Sequence, residues 1–200
     1  GFKQFPCTLL NCGDVMQDAA LFYANKAKCP DFSLPEHFIL ATLHRAENTD
    51  SPERLQSIIA ALEEIAREMP VVIPIHPRTR KKLQELNFDF KQTRLQLVDP
   101  VGYLEMVHLL KHCSLVATDS GGLQKEAYFF KKYCITLRTE TEWVELVEQG
   151  ANIITGWKYE DILNSYKQLK HTTKDVFSSP LYGAGQAGHI IIRELQRIDS

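Results

Sequence analysis

Residues 115–122 read LVATDSGG, an apolar run that passes directly into a polar, glycine-rich turn. Helical spacing follows, so the turn lies between a predicted strand and a predicted helix. Two glycines allow a ligand to approach the backbone closely, and a helix begins with unpaired N–H groups and a positive dipole. We therefore expect Asp119, Ser120, Gly121 and Gly122 to hold the phosphates of a nucleotide. Asp and Ser are also ordinary helix caps, so the local pattern fits a purely structural turn equally well.

Short apolar runs of this kind recur from Phe38 onward, with longer helical segments between them. Runs that are apolar at successive residues are typical of strands covered on both faces, as in parallel sheets. The predicted strands are residues 38–43, 71–75, 95–98, 115–118, 134–137 and 152–154. Strands that alternate with helices predict an α/β fold with a doubly wound parallel sheet.

The helical segments alternate with these strands and extend to both ends of the chain. They are residues 14–28, one helix between the first two strands, and 77–86, 102–112, 121–130, 140–149, 159–169 and 186–198. The helix between the first two strands has apolar residues at helical offsets, including Leu55 and Leu62. Asp50 and Glu53 predict a capping box at its start, with Pro52 in the first turn.

Composition excludes several function classes. The net charge is -2, from 23 Lys+Arg and 25 Asp+Glu, and the basic residues are dispersed apart from short runs such as 78–82, so we expect no nucleic-acid surface. No apolar run approaches the roughly 18 residues of a membrane span, and no charged-then-apolar leader opens the sequence. We expect a cytoplasmic protein without membrane contact.

The cysteines and histidines do not predict a metal site. Five cysteines form no C-x-x-C pair and no Cys/His spacing typical of zinc, so we expect reduced, mostly buried thiols. His108 and His112 are four residues apart on a predicted helix, but no third ligand accompanies them. Tyr103, Met106, Val107 and Leu110 form a stripe on the same helix that is typical of core packing. For Trp143 and Trp157 we expect burial, with stacking on a base as the alternative.

Polar residues follow four of the predicted strands. In an open parallel sheet, ligands bind at the carboxyl ends of the strands. His44 follows the first strand, His76 the second, the 119–122 turn the fourth and Arg138 the fifth. Each alone has a structural interpretation: a hydrogen-bonding histidine, a helix-capping loop, or an ion-paired arginine. Together they predict one shared anion site. Glu126, two turns into the helix after the glycine turn, points toward sugar hydroxyls or toward solvent.

Five runs resemble the UDP-N-acetylglucosamine 2-epimerase family, in the family's order and over nearly the whole chain. They are LHRAEN at 43–48, PIHP at 74–77, TDSGGLQKEA at 118–127, RTETEWVE at 138–145 and LYGAGQA at 181–187. The resemblance implies the two-domain GT-B-type architecture shared with many glycosyltransferases, with each domain Rossmann-like. It implies that residues 36–177 form the nucleotide-binding second domain, residues 1–35 lead in from a first domain, and residues 178–200 return toward it. A first residue other than Met also favours a partial chain.

The resemblance also implies roles for individual residues. His44 is the implied catalytic residue, near the reacting sugar and phosphate, and Arg45 and His76 match positions that hold a second, regulatory UDP-sugar in bacterial non-hydrolysing members. The implied contacts to the substrate's UDP portion are Ser120, Gly121 and Gly122 for the diphosphate, Glu126 for the ribose, Arg138 for a phosphate, and Met106. No metal and no cofactor are implied, and the full-length protein is expected to be a homodimer.

The implied activity is reversible inversion at C2 of UDP-N-acetylglucosamine, giving UDP-N-acetylmannosamine through anti elimination and re-addition of UDP. The family's catalytic carboxylates lie in the first domain, so this chain is expected to be inactive alone. The family often has HRRE where this chain has HRAE, and TERPE where it has TEWVE. These departures leave open an epimerase of another UDP-sugar, such as a diacetamido-uronic acid. The sequence is also compatible with a glycosyltransferase donor-binding domain and with a non-enzymatic nucleotide-sugar sensor.

Overall fold

A six-stranded parallel sheet organises the protein in the computed structural model, which describes residues 4–198. The ends of the predicted terminal segments, 1–3 and 199–200, lie outside the described residues. The strands are β1 Ile39–Thr42, β2 Val71–Pro74, β3 Gln96–Val98, β4 Leu115–Thr118, β5 Cys134–Thr136 and β6 Asn152–Ile154. Their order is β3-β2-β1-β4-β5-β6, with every neighbouring pair parallel. The predicted doubly wound sheet is therefore confirmed, and its winding reverses between β1 and β4.

Helices connect the strands and cover both faces of the sheet. They are α1 Val15–Ala24, α2 Ala46–Thr49, α3 Pro52–Ile65, α4 Pro77–Glu85, α5 Tyr103–His112, α6 Gly121–Phe129, α7 Val144–Glu148, α8 Tyr159–Lys170 and α9 Ala187–Ile198. The helix predicted at 140–149 begins only at Val144. The preceding residues form a turn in which Thr141 Oγ1 accepts a hydrogen bond from the Trp143 N–H at 3.2 Å, a local bond that competes with helix formation.

The capping box predicted for Asp50 and Glu53 is wrong. Ser51 caps α3 instead, and its Oγ accepts a hydrogen bond from the Arg54 N–H at 3.4 Å. Asp50 ends the short helix α2, and its carboxylate pairs with Arg78 at the start of α4. The sequence contains two possible cap residues in succession, and the ion pair with Arg78 occupies the first of them.

The core consists of two apolar layers, one on each face of the sheet. Alternate residues of β1 supply both layers: Ile39 packs with α3 and α8, whereas Leu40 packs with α5 and α6. Both side chains are fully buried, as the continuously apolar strands predict. A third, smaller cluster joins the terminal segments to α6 and includes Ala20, Tyr128 and Tyr182.

The expectation of mostly buried cysteines is wrong for three of the five. Cys113 and Cys134 are buried, and burial raises the pKa of both thiols to about 12. Cys7 and Cys29 are exposed and Cys12 is half-buried, because all three lie in segments outside the sheet layers. Within residues 4–198, no helix is long and apolar enough to cross a membrane, and no group of three metal-ligating side chains is found.

Candidate functional site

The carboxyl ends of β1, β2, β3 and β4 surround an open cavity of about 270 Å³. It lies beside the point where the sheet reverses its winding, which is where doubly wound folds bind ligands. The residues that line it come from five polypeptide segments and are Thr42, Leu43, His44, Pro74, His76, Pro100, Val101, Met106, Ser120 and Leu123. Four predicted site residues, His44, His76, Met106 and Ser120, are therefore brought together.

The N-terminus of α6 forms one edge of this cavity. Ser120 caps the helix, with its Oγ accepting a hydrogen bond from the Leu123 N–H at 3.4 Å. The Ser120 N–H in turn donates to Thr118 Oγ1 at 2.9 Å. The amides of Gly121 and Gly122 stand at helix positions that have no acceptor within the helix itself. These groups and the helix dipole are available to an anion.

Nothing in the described packing requires glycine at the two positions that follow Ser120. Neither Gly121 nor Gly122 has a positive φ angle. A Cβ atom on Gly121 would lie 3.4 Å from its nearest neighbour, an oxygen of Glu142, and one on Gly122 would lie 3.8 Å from Met16 Cε. Both are ordinary van der Waals distances. The use of glycine at these positions is therefore consistent with a ligand that approaches the backbone closely.

Asp119, in contrast, is part of the scaffold. It is fully buried, and its carboxylate accepts hydrogen bonds from the backbone N–H of His44 at 3.1 and 3.2 Å and from that of Arg45 at 2.9 Å. Asn48 Nδ2 donates a further bond at 3.3 Å. The phosphate-holding role expected for the turn therefore does not extend to the Asp119 side chain, since its oxygens are already occupied by these donors.

His44 and His76 line the cavity from neighbouring strand ends. The His44 side chain is 43% exposed, and its Nδ1 lies 3.3 Å from Asp119 Oδ1. The two imidazole rings are 6.5 Å apart. His76 also caps α4, because its Nδ1 accepts a hydrogen bond from the Arg78 N–H at 3.2 Å. The helix-capping interpretation of His76 is therefore confirmed, and the same residue also lines the cavity.

Arg138 and Arg45 form a separate cluster that lies against Gly121 rather than lining the cavity. The Arg138 side chain is 6% exposed, and its two Nη atoms donate to the Glu142 carboxylate at 2.7 and 3.1 Å. Arg45 Nη2 lies 3.7 Å from the same carboxylate. The Arg138 guanidinium lowers the pKa of Glu142 to about 2. The ion-paired interpretation of Arg138 is thus confirmed.

Glu126 is half-buried and lies outside the cavity lining. Its carboxylate accepts a hydrogen bond from the Tyr103 hydroxyl at 2.9 Å. Burial raises the pKa of Glu126, and the bond from Tyr103 opposes that rise. The core-packing interpretation of the α5 stripe holds for Val107 and Leu110, which are fully buried, but is wrong for Tyr103, which is 43% exposed.

One further residue that contacts the glycine turn, Trp143, and two that lie behind it, Lys125 and Asp14, were not predicted as site residues. Trp143 Nε1 donates to the Gly121 carbonyl at 2.8 Å. The Lys125 ammonium, only 6% exposed, pairs with Asp14 and lies 4.2 Å from the Trp143 ring. These contacts join segments that are far apart in sequence, so no local pattern could have indicated them. Trp157 is also half-buried and packs beside α3, away from the cavity.

Comparisons with known proteins agree with this arrangement. A sequence model of the family described as UDP-N-acetylglucosamine 2-epimerase matches residues 5–196. The chain is 49% identical over 201 residues to UDP-2,3-diacetamido-2,3-dideoxy-D-glucuronate 2-epimerase of Pseudomonas aeruginosa, covering 99% of this chain and 55% of that protein. It is 40% identical over 167 residues to UDP-N-acetylglucosamine 2-epimerase of Methanocaldococcus jannaschii, covering 81% and 45%.

Solved structures give the same result at the level of the fold. The crystal structure of the Methanocaldococcus jannaschii UDP-GlcNAc 2-epimerase in complex with UDP-GlcNAc and UDP superposes with a TM-score of 0.82 at 36% identity, covering 93% of this chain and 54% of that one. The Neisseria meningitidis enzyme bound to UDP-GlcNAc gives 0.79 at 28%, covering 93% and 54%. The chain spans about half the length of these relatives, and it belongs to the UDP-N-acetylglucosamine 2-epimerase family.

Proposed function

We propose that this chain binds the UDP portion of a nucleotide sugar and forms the UDP-binding part of a nucleotide-sugar 2-epimerase. The observation that carries the proposal is the N-terminus of α6, where Ser120 lines the cavity beside the reversal of the sheet and Gly121 and Gly122 follow it as the first two residues of the helix. The diphosphate would lie against the free amides, with the helix dipole favouring its charge. Two solved relatives hold UDP-GlcNAc in their crystals.

The same geometry suits the departure of UDP. In the proposed reaction the C2 proton passes to a base while the bond between C1 and the UDP oxygen breaks, and UDP then adds back after a proton returns to the other face of C2. The charge that develops on the departing diphosphate needs preorganised donors. We assign these donors to the α6 amides, Ser120 Oγ, His44 and Arg138.

His44 is placed for this role by its neighbour. Asp119 Oδ1 lies 3.3 Å from His44 Nδ1, and a carboxylate at that distance favours a proton on Nδ1. The other ring nitrogen, Nε2, is then available to the ligand, because the hydrogen bond made by one nitrogen sets the state of the other. We propose that Nε2 contacts the sugar or phosphate at the scissile bond.

The groups that move the C2 proton are proposed to lie outside this chain. Epimerisation needs an acid or a base on each face of C2, and the described residues that line the cavity include no Asp or Glu. We place the carboxylates in the part of the relatives, about half their length, that this chain does not match. The chain alone would then bind UDP weakly and epimerise nothing.

The contacts and exposed side chains of the terminal segments support the proposal that a second domain packs against them. Asp18 of α1 accepts hydrogen bonds from the Ala187 and Gly188 N–H groups at 3.1 and 2.8 Å, so the start of α9 is held beside α1. Large apolar side chains are exposed along these segments, and they are Phe5, Leu9, Leu10, Val15, Leu21, Phe22, Ile191, Ile192 and Leu195. An apolar surface of this kind is typical of a contact site. We propose that residues 1–35 and 178–200 connect the 36–177 domain to the rest of the enzyme.

The sugar is proposed to be N-acetylglucosamine or a 2,3-diacetamido-glucuronate. The second candidate is favoured by the 49% identity over 99% of the chain to the Pseudomonas aeruginosa enzyme, compared with 40% over 81% for the Methanocaldococcus jannaschii enzyme. Both substrates carry UDP at C1 and an acetamido group at C2, so one diphosphate site serves either. A homodimer and a regulatory UDP-sugar at Arg45 and His76 remain predictions from the resemblance, and a cytoplasmic location remains a prediction from the composition.

Calorimetric titration of the 200-residue chain with UDP and with uridine tests the proposal. UDP should bind at least about tenfold more tightly than uridine, a difference of roughly 1.4 kcal/mol, because the diphosphate makes the main contacts. Equal affinities would exclude the diphosphate site. In a parallel incubation with UDP-N-acetylglucosamine, appearance of UDP-N-acetylmannosamine would show that the chain carries its own proton-transfer groups. The longer protein, assayed with both sugars, would distinguish the two substrates.

A further inference from the structure

Arg138 has a buried donor that the described structure leaves without a hydrogen bond. Its Nη atoms donate to Glu142, but the buried Nε finds no partner among residues 4–198. A carboxylate oxygen of Glu47 is 3.7 Å from Nε, beyond hydrogen-bond distance. Buried donors without a partner are rare in folded proteins. The guanidinium is therefore only partly satisfied and has capacity for another acceptor.

Glu142 supplies an anion at the very place where the proposed diphosphate would bind. A Cβ atom on Gly121, the first residue of α6, would lie 3.4 Å from Glu142 Oε2. Two arginines surround the same carboxylate, with Arg138 in a two-point contact and Arg45 at 3.7 Å. Helix N-termini and paired guanidinium donors are also the groups that bind phosphate. The carboxylate thus stands in a position built for a stronger anion.

The two partners differ in their freedom to move. The Arg138 side chain is 6% exposed and the Glu142 side chain is 51% exposed. The carboxylate can therefore turn into solvent, whereas the guanidinium stays in place. The Glu142 carboxylate and a bound diphosphate cannot both use all the N–H donors of the Arg138 guanidinium. Two anions that contact the same guanidinium also repel each other.

We infer that Glu142 is an internal competitor of the diphosphate: it occupies Arg138 and the start of α6 in the free chain and turns outward when the diphosphate binds. The inference rests on the proposed UDP site. The chain should therefore bind UDP more weakly than it would without the Glu142 carboxylate. It should also release UDP more easily, because the returning carboxylate pairs with Arg138 again. The opposite role, in which Glu142 positions Arg138 for the ligand, predicts the opposite sign, since removing the carboxylate would then weaken binding.

The test is a calorimetric titration of the 200-residue chain with UDP and, separately, with inorganic pyrophosphate. Glu142→Gln should bind both about fivefold more tightly than the wild type, since a charge-assisted bond no longer has to be broken. Glu140→Gln is the matched control, because it makes the same charge change two residues away on an exposed side chain, and its affinity should change by less than about twofold.

Glu142→Asp guards against a folding defect in the Gln variant, because it keeps the charge and shortens the side chain by one methylene. Its affinity should lie between those of the wild type and Glu142→Gln. Unchanged or weaker binding in both Glu142 variants, while the wild type binds UDP, would overturn the inference and leave the proposed function intact. Failure of the wild type and of every variant to bind UDP would remove the proposed function, and the inference with it.

Discussion

Asp119, at the end of β4, accepts the backbone N–H of His44, at the end of β1, with both carboxylate oxygens at 3.2 and 3.1 Å. The two strands are neighbours at the point where the sheet reverses its winding. The hydrogen bonds therefore fix the loop that carries His44 relative to the turn that carries Ser120. A buried anion of the scaffold thus holds in place the groups proposed to contact an anionic ligand.

Asp119→Asn should destabilise the chain by about 3 kcal/mol, because it replaces a buried charged acceptor with an amide whose NH2 faces backbone donors. The measurement is urea unfolding monitored by circular dichroism. Asp99→Asn is the control: that side chain is 93% exposed and pairs with Arg80 at 3.3 Å, so a change within about 0.5 kcal/mol is expected. Equal effects in the two variants would show that Asp119 does not hold the two loops together.

Gly122→Ala should leave stability unchanged or slightly higher and weaken UDP binding about tenfold, equivalent to roughly 1.4 kcal/mol. The added methyl group has room in the free chain, with its nearest neighbour at 3.8 Å, but it would add bulk beside the amides that are proposed to hold the diphosphate. Thermal unfolding and UDP calorimetry measure the two effects. Gly188→Ala, at the same second position of α9, should change neither. Full UDP affinity in Gly122→Ala would place the diphosphate elsewhere.

Glu126→Gln should raise the melting temperature at pH 8 and lose this advantage as the pH falls toward 4.5. Burial raises the pKa of Glu126 above its ordinary 4.5, so the folded state binds its proton more tightly than the unfolded state does. That contribution to stability is present below pH 4.5 and is lost as the pH rises through the folded pKa. The neutral amide of Glu126→Gln carries no charge at any of these pH values, so the variant does not lose this stability as the pH rises. A wild type more stable than the variant at pH 8, with exposed Glu140→Gln as the reference, would contradict this account.

Most of the fold could be predicted because the sheet is buried on both faces. The runs at residues 71–75 and 115–118 contain β2 and β4, because a strand covered by helices on both sides favours apolar residues at successive positions. Residues 152–154 coincide with β6 at the edge of the sheet, where Asn152 is buried and Ile154 is exposed. The start of α3 was predicted one residue too early. Asp50 and Ser51 both suit a helix cap, and only the ion pair with Arg78 selects between them.

The candidate site was predictable as a set of strand ends, and less so in its internal contacts. Strand direction alone placed His44, His76 and Ser120 around one cavity. It could not show that the Asp119 carboxylate points into the scaffold. An ion pair at Arg138 was among the expected interpretations, but the position of Glu142 against the start of α6 depends on side-chain contacts that the residue pattern does not indicate.

The most direct test of the central claim is the amide spectrum of the chain during titration with UDP. If the diphosphate lies at the N-terminus of α6, the Gly121 and Gly122 amide resonances in a ¹H–¹⁵N spectrum should shift progressively with UDP and with inorganic pyrophosphate, and much less with uridine. Shifts of equal size with uridine, or saturation with UDP while both glycine resonances stay in place, would contradict the account.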